Sequence, residues 1–308
     1  MKATFSVTGV LFSAALLTAS QSGQNPTVFR SGADAVFANV SVLSGRRPVL
    51  GLSAKDFEIQ DNGVTQTVDD ASIDTTTVDV SLLLDLSGSA MAGPFRSRLV
   101  DGAKQVLSLL RTGDRAELVV FDSDVRRSLD LMREPPQVSL DKFADGGTRL
   151  FDAISAALIE RVEPGHRHLI IAITDGIDNQ SLVSGAIRKA VIDRSSATVY
   201  IAAVSILGRT SNFYFQPAPV NGTVTREVAG DYDYLLKEFT DGTGGEFFDL
   251  RPGDSFAESL RGIVDAFRQS YVIRYQPDGV TKQGWHEIEA RVKGHRYDVH
   301  VRKRYFGG

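Results

Sequence analysis

Between residues 78 and 250 the chain alternates nearly continuous apolar runs with amphipathic stretches, and few folds accept that pattern. The runs VDVSLLLDLS, RAELVVFDS, RHLIIAITD, TVYIAAVSI and GEFFDL have the composition of strands covered on both faces. Between them, FRSRLVDGAKQVLSLLR, LFDAISAALIERV, LVSGAIRKAVIDR and YDYLLKEFTD repeat apolar residues at helical steps; Leu99, Ala103, Val106 and Leu110 mark one such face. Strand and helix in alternation predict a doubly wound α/β domain with right-handed crossovers. The run VRRSLDLM predicts an antiparallel edge strand. Residues 208–230, with aromatics, two prolines and an Asn-Gly pair, predict a surface excursion.

On both sides of this region the texture is β. AVFANVSVL is rich in β-formers, and FEIQDNGVTQTV is two short runs around Asp61-Asn62-Gly63, a hairpin signal because Asn and Gly accept positive φ. An N-terminal β segment of about forty residues is too small to close a core alone. After a helix near 255–269, SYVIRYQP, WHEIEARVK and YDVHVRKRYF return to strands; Ile288, Ala290 and Val292 alternate with Glu287, Glu289, Arg291 and Lys293, giving one wet face. The simplest topology that buries both pieces is a β-sandwich made of residues 25–76 and 271–308, with the α/β domain of residues 77–270 inserted into it.

Residues 1–20, MKATFSVTGVLFSAALLTAS, carry one lysine near the start, an apolar stretch over 7–17 and small residues near Ser20, the pattern of a cleaved signal peptide. That stretch is shorter than the roughly 20 apolar residues of a membrane span. The mature chain is therefore expected to be secreted or periplasmic, without a membrane span. It has no cysteine, so neither disulfides nor a lipidated cysteine hold it, and stability rests on the core. With 308 residues, 42% of them hydrophobic, it has the material for one. A net charge of -4 argues against a general nucleic-acid binder and leaves protein or small ligands.

The stretch LLLDLSGSAM, positions 82–91, sets a buried strand directly against an aspartate, two serines and a glycine. In an open α/β sheet, ligands bind outside the carboxyl ends of the strands, near a switch in strand order. Asp85, Ser87 and Ser89 follow the first strand, Asp175 ends LIIAITD, and Thr148 lies in the DGGTRLFD loop that opens a helix, so all three segments are able to meet at one sheet edge. Three hydroxyls and two carboxylates form a hard-oxygen set that selects Mg2+, or Ca2+ or Mn2+, over zinc or copper. At most two protein charges then balance the ion, and a carboxylate from a partner completes the shell. Singly, each residue has a plainer reading. Asp85, Ser87 or Ser89 reads as a helix cap, Thr148 as the cap of the helix at Leu150, and Asp175-Gly176 as a turn. Asp122 and Asp124 read as a solvated turn or as a second layer around the ion. Arg149, beside Thr148, is placed to steer an acidic partner. Arg302-Lys303-Arg304 reads as a charged edge strand or as a patch for anionic polymer.

Enzyme signatures are missing. There is no phosphate loop Gly-x-x-x-x-Gly-Lys-Ser/Thr and no Gly-x-Ser-x-Gly elbow. An aspartyl phosphotransferase carries a second aspartate two residues after its nucleophile, where Ser87 follows Asp85 here. His166, His168, His286, His295 and His300 have no zinc-binding spacing. The alternatives to a binding protein are a scaffold whose metal only stabilises the fold and a metal-dependent hydrolase, because a bound ion acidifies water.

DLSGS, then GGT, then TDG, each placed after a strand or before a helix, resemble the metal-ion-dependent adhesion site (MIDAS) of von Willebrand factor type A (VWA) domains over residues 78–250. The resemblance implies that Asp85, Ser87 and Ser89 hold the metal, that Thr148 joins when a ligand is bound, and that Asp175 binds directly or through water. It also implies a non-enzymatic, adhesion-type protein that ligates an acidic residue of a protein partner through the cation. Members of the family often carry methionine directly after the second serine; here Ala90 precedes Met91, which alters the loop and leaves the ligands in place. The flanks, with DGTGGEFF and the closing RKRYF, resemble a bacterial VWFA-related subgroup common in Acidobacteria, which implies the same inserted architecture.

Overall fold

The computed structural model describes residues 35–88, 90, 95–132, 146–204, 232–250 and 254–307. The expected signal peptide over 1–20 and the excursion over 208–230 lie outside them. The first β segment comprises β1 (Val36–Ser44), β2 (Arg47–Pro48), β3 (Phe57–Asp61), β4 (Val64–Gln66) and β5 (Val68–Ile73). The α/β region follows with β6 (Val78–Asp85), α1 (Phe95–Ser108), β7 (Arg115–Phe121), β8 (Val125–Met132), α2 (Leu150–Leu158), β9 (Arg167–Thr174), α3 (Gly185–Arg194), β10 (Thr198–Val204), α4 (Tyr232–Thr243), β11 (Phe247–Leu250) and α5 (Phe256–Arg268). The second β segment holds β12 (Tyr271–Tyr275), β13 (Gly284–Val292), β14 (Asp298–Val301) and β15 (Arg304–Gly307).

The α/β sheet runs β11-β10-β9-β6-β7-β8, parallel except for β8, which is antiparallel to β7 at the edge as its sequence predicts. Every residue of β6, β9 and β10 is buried, which is why these runs are mostly apolar on both faces. Because strand side chains alternate, Leu82 and Leu84 face a layer with Leu99, Ala103 and Val106 of α1 and Leu260, Ile263 and Phe267 of α5. Leu83 faces the opposite layer, with Ile154 of α2, Ile192 of α3 and Phe239 of α4. Each of these side chains larger than alanine contributes about 2 kcal/mol by leaving water. The α1 and α5 layer depends on Gly102, since a Cβ there would lie 2.2 Å from the Phe256 ring.

At the amino-terminal edge of the sheet a polar network replaces apolar packing. The helix expected through Val162 stops at Leu158, because the chain beyond it is drawn to buried Asp79. That carboxylate accepts from Glu163 N at 2.9 Å and Arg115 Nε at 2.9 Å, and meets His166 Nδ1 at 2.7 Å. Nearby, Ser81 Oγ donates its single proton to Glu117. His168 Nε2, 2.7 Å from the same oxygen, is therefore the nitrogen that carries hydrogen, and because burial keeps the ring neutral Nδ1 is the bare one. Burial lowers the His168 pKa to about 4, against a smaller upward pull from Asp79. The unfolded chain takes up this proton below about pH 6.5 and the folded chain does not, so stability is complete above that pH and declines as pH falls toward 4, by up to about 3 kcal/mol. Thermal unfolding of His168→Gln, whose amide replaces the donor to Ser81, is expected to show a shallower loss between pH 6.5 and 4; parallel curves for variant and wild type would contradict this.

The flanking segments form two sheets that share one core. One runs β14-β1-β12-β5 with β2 paired to β1, and the other runs β15-β13-β3-β4. Strands from the two ends of the chain interleave: β1 lies between β12 and β14, and β3 pairs with β13. Val40, Phe57, Ile59, Tyr271, Ile273 and Ile288 are among the buried side chains between the sheets. The α/β domain enters and leaves through neighbouring strands, with Ile73 opposite Tyr271 and Asp74 N bonded to Ser270 O at 3.1 Å. It is an α/β domain inserted in a β-sandwich, as the sequence predicts.

In the flanks one expectation holds and one is corrected. Asn62 and Gly63, at φ 48° and 77°, make the tight turn of the expected hairpin between β3 and β4, and Asp61, which ends β3, is fully buried. The run YDVHVRKRYF is not one strand, because Arg302 turns inward and sends β14 to one sheet and β15 to the other. Its Nη1 and Nη2 donate to Ile192 O and Ala197 O, both at 2.8 Å. Lys303 bonds Asp241 at 3.1 Å and Arg304 bonds Asp193 at 3.3 Å. The basic triplet therefore clamps the tail to α3 and α4 instead of forming an outward patch. Among the described residues, no helix is long and apolar enough to cross a membrane.

Candidate metal centre

From β6 the chain passes to β7 on one side and later returns to β9 on the other, so the sheet switches direction at β6. The crevice outside that point is where an open α/β sheet places a ligand. Asp85 ends β6, and Asp175 directly follows β9. Asp85 is fully buried; its Oδ1 accepts from Ser87 N at 3.0 Å and its Oδ2 from Thr174 Oγ1 at 2.6 Å. Thr174 Oγ1 in turn accepts from Gly176 N at 3.0 Å, and Asp175 Oδ1 from Ile177 N at 3.0 Å. Gly176, at φ 81°, turns the chain across the sheet end, a backbone state that costs a residue with a Cβ about 1 kcal/mol or more.

Among the described residues no cationic group is bonded to Asp85. Burial, and then the charge of Asp175, push the Asp85 carboxyl up to about 7, while the Thr174 and Ser87 hydrogen bonds pull it down. Those bonding partners are all neutral. Two carboxylates close enough to repel each other, in a place where water cannot screen them, favour a bound cation.

Thr148 is held between the ends of β7 and β9. Its N donates to Asn179 Oδ1 at 2.7 Å, and its carbonyl accepts from Asn179 N at 3.1 Å and Gln180 N at 3.0 Å. The next residue, Arg149, donates N–H to Asp122 O at 3.0 Å, just past β7. Thr148 does not cap α2. The first free amides of that helix go to Asp178 and Ser181: Phe151 N to Asp178 Oδ2 at 2.8 Å, and Asp152 N to Ser181 Oγ at 3.0 Å. The buried Thr148 hydroxyl is thereby spared from the capping role. Asp122 is not a solvated turn either: it is buried, accepts from Asp124 N at 2.9 Å and pairs with Arg126, while Asp124 is exposed. Arg149 reaches Asp152 at 3.8 Å and retains 29% of its side-chain exposure, which leaves it available at the rim.

Asp85, Ser87, Thr148 and Asp175 thus share the carboxyl edge around β6, each buried; Ser89 and Met91 lie outside the described residues. Among the described residues no three His, Cys, Asp or Glu side chains gather as a metal set, so an ion here leans on hydroxyls as much as on acids. Thr174, Asp178, Asn179 and Ser181 escape the sequence reading. Their signal is the density of oxygen-bearing side chains in TDGIDNQS, which locates a loop with many bonds without saying which segments it ties together.

No curated protein matches the chain. Among solved structures it is similar to an aerotolerance-related membrane protein from Bacteroides fragilis, with 19% identity, TM-score 0.44, and 62% of this chain and 98% of that one covered. It is also similar to a von Willebrand factor type A protein from Catenulispora acidiphila, with 12% identity, TM-score 0.46 and coverage of 91% and 74%. A third is proximal thread matrix protein 1 of the mussel byssus, with a zinc-occupied MIDAS motif, at 13% identity, TM-score 0.46 and coverage of 66% and 48%. The family model for the von Willebrand factor type A domain matches residues 79–229, the stretch that contains β6, β9 and the oxygen cluster at their ends. The chain carries a von Willebrand factor type A domain.

Proposed function

We propose that the chain is a metal-dependent protein-binding protein of adhesion type, in which Asp85, Ser87, Ser89, Thr148 and Asp175 hold a divalent cation. The observation that carries the reading is the pair of neighbouring acids, Asp85 and Asp175, with only neutral donors bonded to Asp85 among the described residues. The donor set is hard, which favours Mg2+, with Ca2+ or Mn2+ as substitutes. A bound cation supplies a Lewis-acidic position that accepts a carboxylate of a protein partner. Two protein carboxylates fully offset a divalent charge, and hydroxyl ligands add none, so an anionic guest is tolerated where a third protein acid would repel it. Arg149 adds attraction for an acidic partner at the rim. VWA domains are typically non-catalytic interaction modules, and a non-enzymatic role fits the missing catalytic signatures. The pattern over residues 1–20 supports secretion or a periplasmic location, and the pairing of β5 with β12 supports domain limits near 77 and 270.

Metal-stripped protein titrated with Mg2+, Mn2+ and Ca2+ is expected to give heat in calorimetry and a higher melting temperature. A pull-down from the native envelope is expected to retain a partner in Mg2+ and release it in EDTA. No heat and no thermal shift with any of the three ions at millimolar concentration would remove the metal. A thermal shift with no partner retained supports the second reading, a scaffold stabilised by its cation, which the Asp85–Asp175 repulsion also favours.

A further inference from the structure

Residues 179–182 are strapped across residues 147–152, which brings the approach to α3 to the rim of the candidate cation site. Asn179 and Gln180 hold both backbone groups of Thr148, and a Cβ at Gly147 would lie 2.4 Å from Asn179 Oδ1 and 2.4 Å from Gln180 Cδ, so the two segments touch with no side chain between them. Further along, Asp152 N donates to Ser181 Oγ at 3.0 Å, and the Asp152 carboxylate accepts from Leu182 N and Val183 N, each at 2.9 Å. Arg149 meets the same carboxylate at 3.8 Å, so Leu182 and Arg149 adjoin one anchor. From Asn179 through Ile187 the sequence NQSLVSGAI carries no charge, in a chain where 23% of residues are charged. Within it Leu182 and Ile187 are 68% and 51% exposed, and Gln180, Ser184, Gly185 and Ala186 are exposed as well.

We propose that the partner of the cation site is a chain segment carrying an acidic residue with an aliphatic or aromatic residue close after it: the carboxylate goes to the cation and the apolar side chain covers Leu182 and Ile187. The inference rests on the cation reading and adds the second half of the ligand. Single exposed aliphatics are ordinary. What sets this strip apart is where its second one stands. Ile187 is the third residue of α3, and Ser184 Oγ accepts from its N–H at 3.4 Å. That is the position where Glu or Gln reaches back to the cap residue and strengthens the helix start, and a β-branched side chain there gives up the bond and stays in water. An exposed strip with aliphatic side chains and no charge has the composition of the centre of a protein–protein interface. The two halves of the ligand divide the work. A carboxylate is common to every protein surface and supplies attraction with little discrimination, whereas burying a leucine-sized side chain against the strip contributes on the order of tenfold in affinity, which a polar residue loses.

The probes are labelled peptides of glycine and serine with one aspartate and, at the first, second or third position after it, leucine or serine. Measured by fluorescence anisotropy with the full chain in Mg2+, at least one leucine peptide is expected to bind about tenfold more tightly than its serine counterpart, and to be released by EDTA. Leu182→Ser and Ile187→Gln are expected to remove that difference while melting with wild type, because both side chains are exposed and glutamine suits the third position of α3. The proposal is overturned if no peptide binds, if leucine and serine peptides bind alike, if leucine peptides stay bound in EDTA, or if both variants still discriminate. Dimerisation of wild type that Leu182→Ser abolishes would assign the strip to a second copy of the chain and overturn it too. Calorimetry with Mg2+ alone keeps the two readings apart: no heat removes the cation and this proposal with it, whereas heat without discrimination between the peptides removes only the apolar half.

Discussion

Asparagine in place of Asp85 is expected to abolish the response to Mg2+, weakening cation binding by more than about 100-fold, while the metal-free protein becomes more stable. The two effects have one cause. Asp85 is fully buried next to Asp175, and burial with that neighbouring charge pushes its carboxyl up to about 7. A carboxylate forced to ionise there at pH 8 destabilises the metal-free fold by an amount on the order of 2 kcal/mol, or about 5 °C in melting temperature. Asparagine keeps the shape and the acceptor for Ser87 N, and its amide faces Thr174 Oγ1, whose hydroxyl hydrogen loses its acceptor, so the substitution removes the charge at the cost of one hydrogen bond, about 1 kcal/mol, which is smaller than the charge effect. Calorimetric melting with EDTA and with Mg2+ separates the outcomes. A variant that retains the Mg2+ shift places the cation elsewhere, and one that melts lower than wild type in EDTA makes Asp85 a structural acid whose charge the fold requires.

The fold was legible because its strongest determinants are local and repeated. The burial of Leu82, Leu83 and Leu84 in β6 follows directly from an unbroken apolar run, and alternation with helical stretches leaves few architectures; the burial of Asp79 and Ser81, which alternate with Val78 and Val80, does not follow from it. The shared placement of the candidate residues was legible for a related reason: the rule placing ligands at carboxyl ends near a switch converts sequence position into spatial position, and Asp85, Thr148 and Asp175 all lie at that edge. Residues with a satisfactory local explanation hid their long-range role. Asp61 precedes Asn-Gly and reads as a turn residue, yet its partner His286 is 225 residues away. Arg302 sits in a basic triplet and reads as surface, yet its hydrogen bonds span 110 and 105 residues to Ile192 and Ala197. Thr148 reads equally as a cap or a ligand until Asp178 and Ser181 take the cap position, and nothing near Thr148 in sequence announces them.

Asp61→Ala is expected to be the most destabilising single change in the sandwich, lowering stability by about 3–5 kcal/mol and the melting temperature by roughly 10 °C. The buried carboxylate gathers donors from three strands: Tyr275 OH at 2.9 Å and Tyr305 OH at 2.7 Å on Oδ2, and His286 Nδ1 at 2.6 Å on Oδ1. It thereby ties β3 to β12 across the two sheets and to β13 and β15 within its own, joining the two ends of the chain at one atom group. Alanine withdraws the acceptor from all three donors at once. One tyrosine hydroxyl is able to turn toward the other, but the His286 N–H, in a ring that is 1% exposed and stacked 4.5 Å from Tyr305, has no route to water. Asp61→Asn, which keeps one acceptor oxygen, is expected to lie between alanine and wild type. Because the cluster is in the sandwich and the proposed cation site is at the carboxyl edge of the inserted sheet, any Mg2+ affinity of the folded protein is expected to be unchanged in the variant. A variant that melts within about 1 °C of wild type would show that Asp61 does not hold the two chain ends together; loss of Mg2+ affinity with the fold intact would show that sandwich and metal centre are coupled through the inserted domain.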